Sequence, residues 1–162
     1  MILEVLLTVL IVFLGTTFFG YWTHKWFHSP TSGRFYRAHL THHFTLYPPE
    51  RFLSEKYLSP GKDNTAFLFT LLGIPLIILP IILFAFHIIP LLIFVVSIIS
   101  LAVFGFAHDI LHDAFHIQHH WLRRFGWFLY LTNLHYNHHK NVQTNFGIYS
   151  FWCDKLFGSF NK

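Results

Sequence analysis

Two apolar blocks decide most of what this chain can become. Residues 2 to 22, from Ile2 through Trp22, are almost entirely apolar, and a helix needs about 20 such residues to cross a hydrocarbon core. The second block, Ala66 to Ala107, is long enough for two crossings and contains Pro75, Pro80 and Pro90. It reads as a helical hairpin turning near His87 to Pro90, because proline cannot continue the hydrogen-bond ladder and restricts the residue before it. Pro75 and Pro80 then fall inside the second span, where they should kink it. The sequence therefore predicts a single all-α integral membrane domain over residues 1–162. Its spans lie at about 2–22, 66–86 and 90–107, with a cap built from 23–65 and 108–162. A cleaved signal peptide is the rival reading of the first block. No basic segment opens it, however, and no small-residue cleavage site follows Phe18, Phe19 and Tyr21.

Charge fits a membrane chain. Only 11% of residues are charged, far below the roughly 25% usual in soluble domains. The formal net charge of +4 builds no basic stripe, so nucleic acid is not an expected partner. Every Lys and Arg lies between Lys25 and Lys62 or after Arg123. The positive-inside rule then places the amino terminus away from the cytosol and the cap in it, in a bacterial inner membrane or the endoplasmic reticulum.

The single cysteine, Cys153, excludes an internal disulfide and any thiolate-rich metal site. Fourteen histidines stand against it. Four groups emerge: His24-x3-His28, His39-x2-His42-His43, His108-x3-His112 and His135-x2-His138-His139. Residues three and four apart share a helix face, so each pair aims two imidazoles at one point and each triple aims three within about 100° of arc. Neutral imidazole ligates iron, copper, nickel or zinc. Ten such nitrogens exceed the four of a structural zinc site and suit two metals with about five each. One HxxxH pair at a helix end carries little weight, but two HxxHH triples, each preceded by an HxxxH at a membrane exit, carry much.

Other histidines are less clear. His87 sits alone at the predicted hairpin turn and receives no function. If the third span continues as helix to Trp121, His108, His112, His116 and His119 form one stripe. His116, His119 and His120 are then either ligands or groups that orient ligands. Asp109 and Asp113 are candidates for accepting the second N–H of a ligating imidazole. They read equally well as solvated acids. Trp26, Phe27, Phe44, Trp121, Trp127 and Phe128 either line an acyl groove or form the interfacial aromatic belt.

These boxes, in this order around a hydrophobic hairpin, resemble the fatty acid hydroxylase/sterol desaturase superfamily of membrane di-iron enzymes. The resemblance runs from His24 to Phe160. It includes a tail of Asn145-Phe146-Gly147 and Asp154-Lys155-Leu156-Phe157-Gly158, and it is strongest toward fatty-acid 2-hydroxylases and small bacterial sterol-desaturase-like proteins. It implies that His24, His28, His39, His42, His43, His108, His112, His135, His138 and His139 hold two iron ions, with zinc able to substitute on overexpression. It implies O2 as co-substrate, a lipid substrate, and electrons from a separate donor such as cytochrome b5 or ferredoxin with a reductase, since no cytochrome b5 domain is recognisable. Cys153 and Ser159 depart from the tryptophan and threonine common in relatives, changes expected to affect packing only. The expected reaction is O2-dependent hydroxylation of a fatty-acyl or sterol-like C–H bond. Desaturation and carotenoid hydroxylation are the nearest alternatives. A metal transporter is the rival outside the enzymes, but it would place polar ligands within its spans, and these are nearly devoid of them.

Overall fold

The computed structural model describes residues 1–58 and 73–162. Six α-helices occur among them: α1 (Ile2–Phe27), α2 (Arg34–Thr41), α3 (Ile74–Ala85), α4 (Leu91–Phe115), α5 (Gly126–Lys140) and α6 (Trp152–Leu156). α1 and α4, of 26 and 25 residues, are long and apolar enough to cross a membrane. Only 6% and 11% of their apolar windows are buried, whereas the central helix of a soluble protein would be enclosed. Ile2, Leu6 and Ile11 on α1 and Ile99, Val103 and Phe106 on α4 are among the apolar side chains left exposed.

α3 covers part of the expected second span; the rest of it, 66–72, lies outside the described residues. Pro75 falls in the first turn of α3, where its missing N–H removes no helical bond. Pro80 is the proline inside the helix. The hairpin turn falls where expected. His87 takes a positive φ of 55° there, and Pro90 caps α4 in an extended conformation. Phe84 and Phe94 stack across the hairpin at 4.7 Å. α1 packs on α4, with Phe13 edge-on to Phe104 at 5.5 Å.

Both long helices run past the apolar blocks and carry histidines into the cap. α1 ends before Ser29-Pro30; Ser29 is extended and its hydroxyl accepts from the Thr31 N–H, as expected of a residue that precedes proline. α4 stops at Phe115 and does not continue to Trp121. The predicted four-histidine stripe is therefore cut at His116. The cause lies in the partners of the freed backbone. The Arg123 guanidinium donates to the Phe115 and Ile117 carbonyls, a cation at a helix carboxyl end. The Ser54 N–H donates to the His116 carbonyl, and the Gln118 N–H to the Ser54 carbonyl. These bonds press the 52–54 strip onto the end of α4. Phe52, Phe115, Leu122, Phe128 and Ile148 make the apolar core beneath.

The carboxyl-terminal tail is tied by one buried carboxylate. Asp154 accepts from the Phe146 N–H at 2.8 Å, the Gly147 N–H at 2.9 Å and the Ser159 hydroxyl at 2.8 Å. Asn145 holds a positive φ of 53°, and its side chain donates to the Leu134 and Asn161 carbonyls. At Gly147 a Cβ would collide with the Ser150 carbonyl oxygen. Tyr21 and Trp152 bind the tail to α1 through Ser159 and Thr17.

Asp154→Ala strands two buried N–H groups and a hydroxyl, at roughly 1–3 kcal/mol each. We expect it to destabilise by about 3 kcal/mol or more and Ser159→Ala by about 1 kcal/mol. Denaturant unfolding in detergent measures both; equal midpoints for Asp154→Ala and the parent would refute the tie.

Candidate metal centre

Ten of the fourteen histidines converge in the cap, in three overlapping groups whose ligand atoms lie within 4.8 Å of one another. His24, His28, His39, His43 and His138 form the first group. His42, His112, His116 and His135 form the second, and His42, His43 and His139 the third. Each HxxHH triple is therefore divided. His39 and His43, four apart on one face, go to the first group while His42 faces the second; His138 joins the first and His135 the second. In the first triple the division accompanies a change of helix. Residues His42–Leu46 form a π-helix closed by the Tyr47 N–H on the His42 carbonyl at 2.9 Å, the kind of widened turn that recurs at functional sites.

Four rings have their tautomer fixed by the backbone. Nδ1 of His24, His116, His138 and His139 lies 2.7, 3.0, 2.6 and 2.7 Å from the carbonyl oxygens of Phe146, Phe52, Thr144 and Tyr47. A carbonyl can only accept, so each Nδ1 carries the proton and each Nε2 keeps its lone pair. Those lone pairs face other imidazole nitrogens. His39 Nε2 stands 3.0, 2.9 and 3.1 Å from Nε2 of His24, His28 and His43. His138 Nε2 stands 3.1 Å from His28 Nε2 and 3.2 Å from His43 Nε2. In the second group His116 and His135 bring their Nε2 atoms to 3.1 Å.

Hydrogen bonding cannot satisfy this arrangement, since one ring nitrogen holds either one proton or one lone pair and His39 Nε2 has three such neighbours. A metal does satisfy it. With bonds of about 2.0–2.1 Å, ligand nitrogens at right angles stand about 3 Å apart. Nε2 of His42, His112 and His139 is buried with no hydrogen-bond partner among the described residues, a cost that coordination removes. The residues thus fit metal ions held by nitrogen.

Burial favours the neutral form of most of these rings, the form that coordination requires. It holds His39, His42, His43, His116, His135 and His138 well below the ordinary imidazole value, and the charge their neighbours would carry adds to the effect. His28 and His139 are pushed down to about 3, chiefly by burial.

His108 belongs to none of the three groups. Its Nδ1 lies 3.2 Å from Asp109 Oδ1, and its ring lies against Gly20 of α1. The grouped pair on α4 is His112 with His116, one turn later than the spacing of His108 and His112 predicts. His116 has that place because α4 ends just before it and Tyr47 stacks on its ring at 3.9 Å. Asp113 Oδ1 lies 3.6 Å from His112 Nδ1. His119 is exposed, and His120 caps the short turn Trp121–Arg124 by accepting from the Leu122 N–H. Of the aromatics near the boxes, Phe27 and Phe128 are buried in the core, whereas Trp26, Phe44, Trp121 and Trp127 are exposed.

The four carbonyls that orient rings have no signature of their own in the sequence. The tail gives one indirect signal. Asp154 fixes the Phe146 and Gly147 amides, and the Phe146 carbonyl between them receives the His24 proton.

No curated protein and no solved structure matches the chain. The fatty acid hydroxylase family profile, by contrast, matches residues 9–159, spanning all four histidine groups and the Asp154 tail. The chain belongs to the fatty acid hydroxylase family.

Proposed function

We propose that this protein is a di-iron membrane oxygenase that hydroxylates a C–H bond of a lipid with O2. The observation that carries the reading is the double nest of neutral imidazoles, lone pairs inward, at the head of two helices apolar enough to cross a membrane. Bound iron supplies O2 activation and the oxidising power to break an unactivated C–H bond, which no side-chain acid, base or nucleophile can do. The protein holds the ligands in one tautomer, keeps them unprotonated and excludes water. His24, His28, His39, His43 and His138 hold one ion. His42, His112, His116 and His135 hold the other, with His139 between them. Electrons come from a separate donor such as cytochrome b5 or ferredoxin with its reductase. The chain crosses the membrane three times, with α3 in the second crossing and the cap in the cytosol.

The purified protein is expected to hold about two metal ions per chain, with zinc able to replace iron on overexpression because affinity follows the Irving–Williams order. Alanine at His42, His43, His116, His138 or His139 should lower metal content and abolish turnover. His87→Ala and His108→Ala should keep the metal. Elemental analysis decides: full metal content in His116→Ala, or a single ion in the well-folded parent, removes the two-site assignment.

A reporter fused after Lys162 should be cytosolic and one placed before Met1 should lie across the membrane. The same side for both ends the three-span arrangement.

Membranes containing the protein, a reductase system and host lipids, supplied with 18O2, should yield a lipid carrying one labelled oxygen. An unlabelled product lighter by two hydrogens would make the protein a desaturase, and label derived from water would exclude O2 as the oxygen source.

A further inference from the structure

Two tyrosines pack against the second histidine group, and their phenol groups have no role among its ligands. Tyr47 is fully buried. Its ring stacks on His116 at 3.9 Å with an interplanar angle of 25° and lies 5.1 Å from the His42 ring. Tyr57, partly exposed, stacks on Tyr47 at 5.7 Å and stands 6.4 Å from His116. The three rings form one cluster that leads from the histidines to a side chain at the surface. Phe27, Phe52, Phe115 and Phe146 also pack on grouped histidines, but a phenyl ring gives up an electron far less readily than a phenol.

A buried phenol is oxidised only if its proton has somewhere to go, because the oxidised phenol is a far stronger acid than the phenol itself. Tyr47 Oη accepts from the Leu58 N–H, which leaves its own proton to a second partner. Ser54 lies within reach of that hydroxyl. Ser54 Oγ already donates to the Lys56 carbonyl at 2.6 Å, so toward Tyr47 it can only accept. Ser54 is itself partly exposed, and the proton has a route to water.

We propose that Tyr47 and Tyr57 are a redox-active pair that carries a one-electron oxidation from the second histidine group to the surface. Tyr47 gives one electron to an ion held by His116 that O2 has oxidised in the absence of lipid substrate. The Tyr47 O–H bond breaks, its proton moves to Ser54 Oγ as Ser54 releases one toward water, and a neutral tyrosyl radical remains. Tyr57 then returns one electron to Tyr47, which regains its proton from Ser54, and Tyr57 loses its own hydroxyl proton to water. A one-electron reductant in solution, with a proton from water, restores Tyr57. The ligand imidazoles are thereby spared oxidation. That O2 starts the process rests on the oxygenase reading above; the pair itself does not.

The test uses the full chain in detergent, loaded with Fe(II) and free of lipid, mixed with O2 and freeze-quenched. Electron paramagnetic resonance should show a tyrosyl radical whose hyperfine structure collapses when ring-deuterated tyrosine is supplied during growth. Tyr47→Phe keeps the ring and its stack, and should remove the signal with metal content unchanged. Tyr57→Phe should leave the signal and lengthen its lifetime severalfold. Should Tyr47→Phe lose metal, Ser54→Ala takes its place; it keeps the backbone bonds to His116 and Gln118 and should slow the appearance of the radical severalfold. The zinc-loaded chain, oxidised by a flash-excited ruthenium tris-bipyridyl complex with persulfate, should show the same Tyr47-dependent signal without any O2 chemistry. A signal undiminished in Tyr47→Phe overturns the proposal, and so, in a chain that oxidises lipid, does a signal confined to the photo-oxidised sample. The two readings fail separately. A Tyr47-dependent radical without any O2-dependent lipid oxidation removes the oxygenase and leaves the pair, whereas lipid oxidation with no such radical in either preparation removes the pair alone.

Discussion

Ten imidazoles gathered in the cap, nine of them buried and all with nitrogens turned toward one another, are the constraint on which the rest of this structure depends. A lone pair buried against another lone pair is a polar group without a partner, which costs free energy until something accepts it. A metal ion held among these nitrogens would meet that cost. The protein also pins rings with bonds that no rotation can exchange, since the Phe146, Thr144, Tyr47 and Phe52 carbonyls can only accept. These carbonyls come from three separate stretches of chain, the 144–146 loop, the end of the π-helix and the 52–54 strip. Each stretch is therefore part of the site, although the 144–146 loop and the 52–54 strip supply no histidine to it.

The long helices keep most of their apolar surface outside the fold. Apolar helices in lipid gain little by burying apolar surface against each other, because the acyl chains are as apolar as they are. α1 and α4 meet through a few aromatic contacts such as Phe13 with Phe104, and most of their apolar surface faces outward. The polar ties come from the cap-side half of α1: Thr16 to Tyr149, Thr17 to Trp152, Tyr21 to Ser159. Asp154 closes this set from the tail. The result is a head tied by polar bonds above helices that meet through apolar contacts.

Much of this was legible from spacing. Apolar length marked α1 and α4, and proline marked the turn at His87–Pro90. The two HxxHH triples marked residues that the fold brings together. What spacing could not decide was phase. HxxxH is satisfied by His108 with His112 and equally by His112 with His116, and a helix extended to Trp121 would have made both pairs part of one stripe. The choice is made by Arg123 and Ser54, which end α4 at Phe115 from positions distant in sequence. The division of each triple between groups was hidden for a related reason. A regular helix keeps three such rings within one arc, and it is the π-turn at His42 and the arrangement of neighbouring elements that part them. The orienting carbonyls were illegible because every residue has one.

The one-turn change of phase on α4 has a structural consequence. Were His108 and His112 the grouped pair, the apolar face from Ile98 to Gly105 would run directly into the grouped histidines, with no other polar residue between. With His112 and His116 grouped instead, one full turn containing His108 and Asp109 separates the apolar face from the centre. α4 therefore reads in sequence as apolar stem, polar collar and a last turn that carries His112 and leads into His116. A helix with 1.5 Å rise fixes the spacing of such zones without any further contact.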